Sequence, residues 1–145
     1  VRNYLDACHE VQRFMTFFPE LPKGLSQRHI KVLQAVRELS GEARVKVSDI
    51  SDYMGGTRPS ITRLIRALEA KGALTKTQDT EDKRVIWLAL TDLGEQYYEF
   101  YCQQYHTWLA EILGESPQED FDTTIHTIQE VSRLLQDSDF PQYQK

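Results

Sequence analysis

The period of the chain changes at Gly72, and that change limits what it can fold into. Upstream, Ile61, Leu64, Ile65 and Leu68 recur at i, i+3, i+4 and i+7, the stripe of a helix with one buried face. Thr57 opens this helix and Pro59 sits in its first turn, where a missing N–H costs little. Gly72 closes it as the residue just past the cap. Residues 73–78 and 85–90 then read as two strands, the second rich in Val, Ile, Trp and Leu. The polar run Asp79-Thr80-Glu81-Asp82-Lys83-Arg84 between them is a hairpin tip. A helix feeding a two-stranded ribbon cannot bury both apolar faces alone, so neighbouring elements must supply the rest of the core.

Those neighbours are helical. Residues 3–18 form an amphipathic helix with Leu5, Cys8, Val11, Met15 and Phe18 on one side, ended by Pro19 and Pro22. Ser26 is the N-cap of a second helix carrying Ile30, Leu33, Val36 and Leu39, which stops near Gly41. Arg44-Val45-Lys46-Val47 is a minimal edge strand, and Ser48 caps a short helix through Met54 with Asp49 and Asp52 near its positive end. Gly55-Gly56 gives a tight turn. Downstream, Thr91 caps a long aromatic helix with Leu93, Tyr97, Tyr101, Tyr105, Trp108 and Ile112 on one side, interrupted at Gly114. Ser116-Pro117-Gln118-Glu119 reads as a capping box with proline at the first helical position. The helix it opens carries Phe121, Ile125, Ile128, Ser132 and Leu135, and residues 137–145 read as a frayed tail. The expected class is mainly α with a small β-wing: a winged helix-turn-helix lobe at 26–91, flanked by helices at 1–21 and 92–138, within a single domain of 145 residues.

Charge is unevenly distributed. The formal net charge is −5, yet residues 22–91 carry thirteen Lys/Arg against eight Asp/Glu, and the flanks carry four against fourteen. A basic middle inside acidic flanks is expected where only the middle meets an anion. Cys8 and Cys102 match no zinc or disulfide spacing, and His9, His29, His106 and His126 are scattered, so neither a metal nor a cofactor is expected. No nucleophile elbow, phosphate-cradling glycine loop or paired-carboxylate turn is present, which argues against an enzyme. The absence of any long apolar run predicts neither a membrane span nor a secretory leader, and a reducing cytoplasm is the expected compartment.

At about 100° per residue, Pro59, Arg63, Arg66 and Ala70 lie opposite the apolar stripe, flanked by Ser60 and Thr62. Small polar residues and arginines on a free helix face suit a major groove, where guanidinium meets phosphates or guanine edges and hydroxyls donate to either. Arg84, on a thin loop, suits a minor groove of negative potential. Arg58 and Lys83 complete the candidate DNA-binding set.

These residues carry a resemblance. The run Asp82-Lys83-Arg84, five residues, Leu90-Thr91, two residues, Gly94 matches in full the wing motif of the MarR family of bacterial transcriptional regulators. The helix from Ser60 to Gly72 is similar to that family's recognition helix, and the likeness runs from about residue 26 to 95. It implies a homodimer whose first and last helices interleave, placing two recognition helices on a near-palindromic duplex, for which symmetry demands half-sites about 10 bp apart or a multiple of that spacing. By the same resemblance Arg84 is the wing-tip minor-groove residue and Asp82 the carboxylate that orients it, whereas Thr91 and Gly94 cap and pack. Repression is the commoner mode implied. A small aromatic or phenolic effector is also implied, with Phe14, Phe18 and Trp87 as its candidate wall, although no polar constellation identifies a ligand.

Two alternatives stay open. Winged helices also serve as protein-binding modules, and tolerance of alanine at Arg63, Arg66 and Arg84 together would favour that reading. Cys8 lies on the first helix, where a redox-sensing branch of the family carries its reactive thiol, but Asp6 and Glu10 beside it work against a thiolate. The aromatic series Tyr97, Tyr98, Phe100, Tyr101, Tyr105 and Trp108 is expected to form dimer core.

Overall fold

The structure, a computed structural model, describes residues 1–41 and 44–138, with the side chain of Met15 excepted. The place of Met15 on the first apolar stripe and the predicted tail beyond 138 lie outside the described residues. The chain divides into two compact units, Val1–Thr107 and the residues from 108 onward.

In the first unit, α1 (Arg2–Phe14) is followed by one 3₁₀ turn (Met15–Phe17), so the helix closes earlier than Pro19 alone would require. Three helices then pack around one core: α2 (Gln27–Leu39), α3 (Val47–Met54) and α4 (Arg58–Ala70). A three-stranded antiparallel sheet completes it, with β1 (Val45–Lys46), β2 (Leu74–Gln78) and β3 (Ile86–Leu90) in the order β1-β3-β2. Pairing runs from Leu74 opposite Leu90 to Gln78 opposite Ile86, with Val45 opposite Leu88. Strand alternation therefore sends Leu74 and Leu88 into the core and leaves Trp87 and Ala89 on the other face. Leu33, Ile50, Ile61, Ile65, Leu68 and Leu74 are fully buried, so the stripe before Gly72 is the centre of the lobe. Each buried aliphatic side chain of this size contributes roughly 1.5–3 kcal/mol relative to exposure.

Local chemistry sets the boundaries. Ser26 caps α2, and the usual Glu of a capping box is replaced by His29, whose Nδ1 accepts the Ser26 N–H at 2.9 Å. Helix α3 begins at Val47, earlier than a cap at Ser48 would allow, because the Asp49 carboxylate takes the Lys46 N–H at 2.7 Å and fixes Lys46 as the cap. Gly55 and Gly72 have φ of 61° and 75°, the left-handed backbone that ends α3 and α4.

The expected single aromatic helix is instead α5 (Asp92–Tyr98), a π turn (Glu99–Gln104) and α6 (Tyr105–Leu113). The wider turn breaks the phase of the stripe, and Tyr101 and Cys102 within it are both buried. Tyr101 belongs to the lobe's own core, and its hydroxyl donates to the Glu20 carbonyl at 2.9 Å. Phe100 remains 49% exposed.

In the second unit, α7 (Gln118–Gln136) starts without the expected capping box. Pro117 itself is the cap residue, and the Ser116 N–H is already used to close the preceding turn on the Leu113 carbonyl. Ser116 is thus one position too early to reciprocate with Glu119. Ile125, Ile128 and Leu135 on α7 are exposed, as are Leu5, Val11 and Phe14 on α1 in the first unit. No helix among the described residues is long and apolar enough to cross a membrane.

Candidate nucleic-acid interface

Burying Ile61, Ile65 and Leu68 leaves the opposite side of α4 free. Arg63 and Arg66 are exposed there, Ser60 and Thr62 are half-buried at its edges, and Arg58 is exposed in the first turn. Among the described residues, no carboxylate lies within ion-pair distance of Arg58, Arg63 or Arg66. A helix presenting unneutralised guanidinium groups gains most from an external anion. Ser60 is more constrained, because its Oγ accepts from Nη2 of Arg28 on α2 at 3.3 Å. A hydroxyl already accepting from a cation is oriented to donate outward. Sequence reading missed Arg28, since the 32 residues separating it from Ser60 are bridged only by tertiary packing.

The hairpin connecting β2 to β3 is built from its own side chains. Asp82 Oδ1 accepts both the Arg84 backbone N–H and its Nε, each at 3.0 Å, and Asp82 Oδ2 accepts Nη2 at 3.2 Å. This two-oxygen clamp holds the Asp82 carboxyl below its ordinary range, through the Arg84 side chain first and its backbone N–H second. The Arg84 side chain is nonetheless 91% exposed, so the clamp directs the guanidinium without covering it. Lys83 is exposed at the tip, where its carbonyl accepts from Gln78 Nε2 at 2.6 Å. Lys76 on β2 pairs with Glu69 of α4 and so stays within the lobe.

Between α4 and the hairpin lies a cavity of about 260 Å³ lined by Lys46, Ser48, Arg58, Thr62, Arg84 and Ile86, among others. The structure thus brings Arg58, Thr62 and Arg84 together, whereas Arg63 and Arg66 lie outside this lining. Lys46 and Ser48 are additions; each reads in the sequence as an ordinary strand or cap residue, and only the β1–β3 pairing carries them to the wing.

Phe14, Phe18 and Trp87 are not gathered at one cavity. Phe14 lines a groove with Glu10, Arg13, Thr16 and Phe17, and Phe18 packs on Tyr105 and Tyr101 with ring centres 4.8 and 6.0 Å away. Trp87 lines a different cavity of about 630 Å³ with Val36, Ser40, Arg44, Thr77 and Glu95. Cys8 is half-buried, and burial pushes the Cys102 thiol up to about 11. No group of three His, Cys, Asp or Glu able to hold a metal occurs among the described residues.

Comparison with known proteins bears on the same region. The MarR family model matches residues 25–86, which spans α2 through the start of β3 and includes the clamped hairpin. Over this segment the chain is similar to the MarR family. Its relatives include the HTH-type transcriptional repressor MdtR of Bacillus subtilis, 30% identical over 59% of this chain and 57% of that protein. The activatory protein BadR of Rhodopseudomonas palustris is 26% identical over 72% of this chain and 60% of its own length. The chain therefore spans under two thirds of either relative. Among solved structures, the regulator PcaV of Streptomyces coelicolor with its natural ligand superposes with a TM-score of 0.70 at 18% identity, covering 90% of this chain and 91% of that one. FabT of Streptococcus pneumoniae in complex with DNA gives 0.67 at 18% identity, covering 94% and 95%. These likenesses establish a shared winged-helix fold.

Proposed function

We propose that this chain is a transcriptional regulator that binds duplex DNA as a homodimer on a near-palindromic operator. The observation that carries the reading is the cavity where Arg58 and Thr62 of α4 meet Arg84 of the hairpin beside Lys46. A groove-reading helix and a wing must straddle the phosphate chain between a major and a minor groove, and a cationic recess between them suits one phosphodiester. Arg63 and Arg66, outside the recess, meet base edges or flanking phosphates, and Arg84 enters the minor groove. Asp82, though acidic, does not oppose binding because its charge is matched by Arg84 at 3.0 Å.

The dimer forms through apolar faces that the single chain leaves open, on α1 and on α7. A dimer seated on a promoter excludes polymerase, so repression is the expected sign. A small aromatic effector releases it by favouring one spacing of the two DNA lobes over another. Phe14, Phe18 and Trp87 do not line one cavity in the single chain, so they do not together form its wall there. The chemistry invoked is binding alone; no residue is assigned a catalytic role.

The test is fluorescence anisotropy on a duplex selected by the wild-type protein from a random-sequence pool, at two salt concentrations. Saturable binding is expected, weakened roughly tenfold or more by Arg84→Ala. Each lost phosphate contact lowers the salt slope by about 0.9, so Lys46→Gln should weaken specific and non-specific duplexes alike and flatten that slope. Failure to select or bind any duplex at low salt would sink the proposal and favour a protein-binding winged helix.

A further inference from the structure

The outer face of the sheet carries a cluster around Trp87 that shares Lys46 with the DNA-binding recess. Trp87 stands on the central strand β3, opposite Thr77 on β2 and Lys46 on β1. Arg44 Cζ lies 4.4 Å and Lys46 Nζ 5.2 Å from the centre of its ring, both within cation–π range. The indole N–H donates to Asp79 Oδ2 at 2.7 Å, and Arg44 Nη1 lies 3.9 Å from the same oxygen. The other oxygen, Oδ1, accepts the backbone N–H groups of Glu81 and Asp82, each at 2.9 Å. Asp82 then clamps Arg84.

One carboxylate therefore joins two structures, with one oxygen on the sheet and the other on the hairpin tip. The tip runs from 79 to 85 between the last paired residues, Gln78 and Ile86, long enough to spread an exposed guanidinium over many positions. Ordering such a loop during binding opposes affinity, and ordering it beforehand removes that cost. We infer that Asp79, anchored by Trp87 and steadied by Arg44, is a positioning residue that sets where Arg84 meets DNA. The inference rests on the DNA-binding reading above. Asp79 itself is held down to about 2 by the Asp82 N–H, then Trp87 and the Glu81 N–H, so the anchor stays ionised in any ordinary buffer.

The anchor can be cut from either side. In Asp79→Asn the amide oxygen still accepts the two loop N–H groups, but its NH₂ meets the indole N–H donor against donor. In Trp87→Phe the ring still receives Arg44 and Lys46, but the N–H is gone. The experiment measures duplex affinity by anisotropy for wild type, Asp79→Asn and Trp87→Phe, each with and without Arg84→Ala, using the duplex selected from the random pool. Thermal melts of all six proteins accompany it. Arg84→Ala is expected to weaken wild-type binding about 10- to 100-fold, and to weaken either anchor variant only about two- to threefold. A purely structural role for the anchor would lower the melting point while leaving the full Arg84 effect in place. That outcome, in both variants, overturns the inference alone. No duplex binding by the wild type, or no loss on Arg84→Ala in the wild type, overturns the DNA-binding reading and the inference with it.

Discussion

At the scale of single residues, the sharpest constraint is steric. A Cβ on Gly94 would lie 2.0 Å from the Ala73 carbonyl oxygen, a backbone atom that cannot swing aside. Gly94→Ala should therefore destabilise the lobe by about 2–4 kcal/mol, read as a fall in the urea midpoint. The wing motif made Gly94 and Thr91 visible in sequence, and Thr91 Oγ1 both accepts the Gly94 N–H at 3.1 Å and donates to the Gly72 carbonyl at 2.6 Å. His29 was legible only as one of four scattered histidines, although it caps α2 from a nearly buried position. Burial lowers its pKa, helped by the charge of Arg28, so the unfolded chain takes up the proton first as pH falls. Its contribution to stability is complete above the unfolded value of about 6.5 and is lost as pH drops through the lower folded value. The melting temperature should fall over that window, and His29→Gln should flatten the profile. Arg28, Lys46 and Asp79 escaped sequence reasoning for a common reason: each acts on a partner that secondary structure alone does not bring near.

At the scale of elements, periodicity located the helices and the hairpin well but could not see a change of pitch. Strict spacing from Leu93 to Ile112 predicts one straight helix, and the π turn at Glu99–Gln104 alters its phase. Tyr101 and Cys102 within that turn both join the lobe's core. Cap positions shifted similarly, to Lys46, whose N–H the Asp49 carboxylate takes, and to Pro117, past a Ser116 N–H already used by the preceding turn. The hairpin, by contrast, is separable from the core, since its tip residues are mostly exposed. Replacing residues 79–85 with an Asn-Gly turn should leave the melting temperature within a few degrees of wild type while removing tenfold or more of duplex affinity. Loss of folding in that variant would show that the tip supports the lobe as well as its ligand.

At the scale of the whole molecule, the sequence announced amphipathic helices at both ends without saying what covers them. Leu5 and Val11 on α1 are 54% and 52% exposed, and Ile125 and Leu135 on α7 are 51% and 68% exposed. Apolar side chains at that spacing are uncommon on a monomer's surface. Light scattering should accordingly give twice the protomer mass, with a melting temperature that rises with concentration. Ile125→Asp together with Leu135→Asp should yield a monomer with much weaker duplex affinity; a variant that remains dimeric would place the interface elsewhere. The charge asymmetry was readable from sequence as the mark of a middle that meets an anion, but which residues face that anion was not, because that depends on which face of the segment is left unpaired.

The two sides of α4 answer to different demands. Ile61, Ile65 and Leu68 belong wholly to the core, whereas Arg63 and Arg66 are exposed with no ion pair among the described residues. Substitutions on the exposed side can accumulate at almost no thermodynamic cost to the lobe. On the proposed DNA-binding reading such a helix is an interchangeable cassette: rewriting a few outward positions opens new target sites, and the scaffold that presents them need not change.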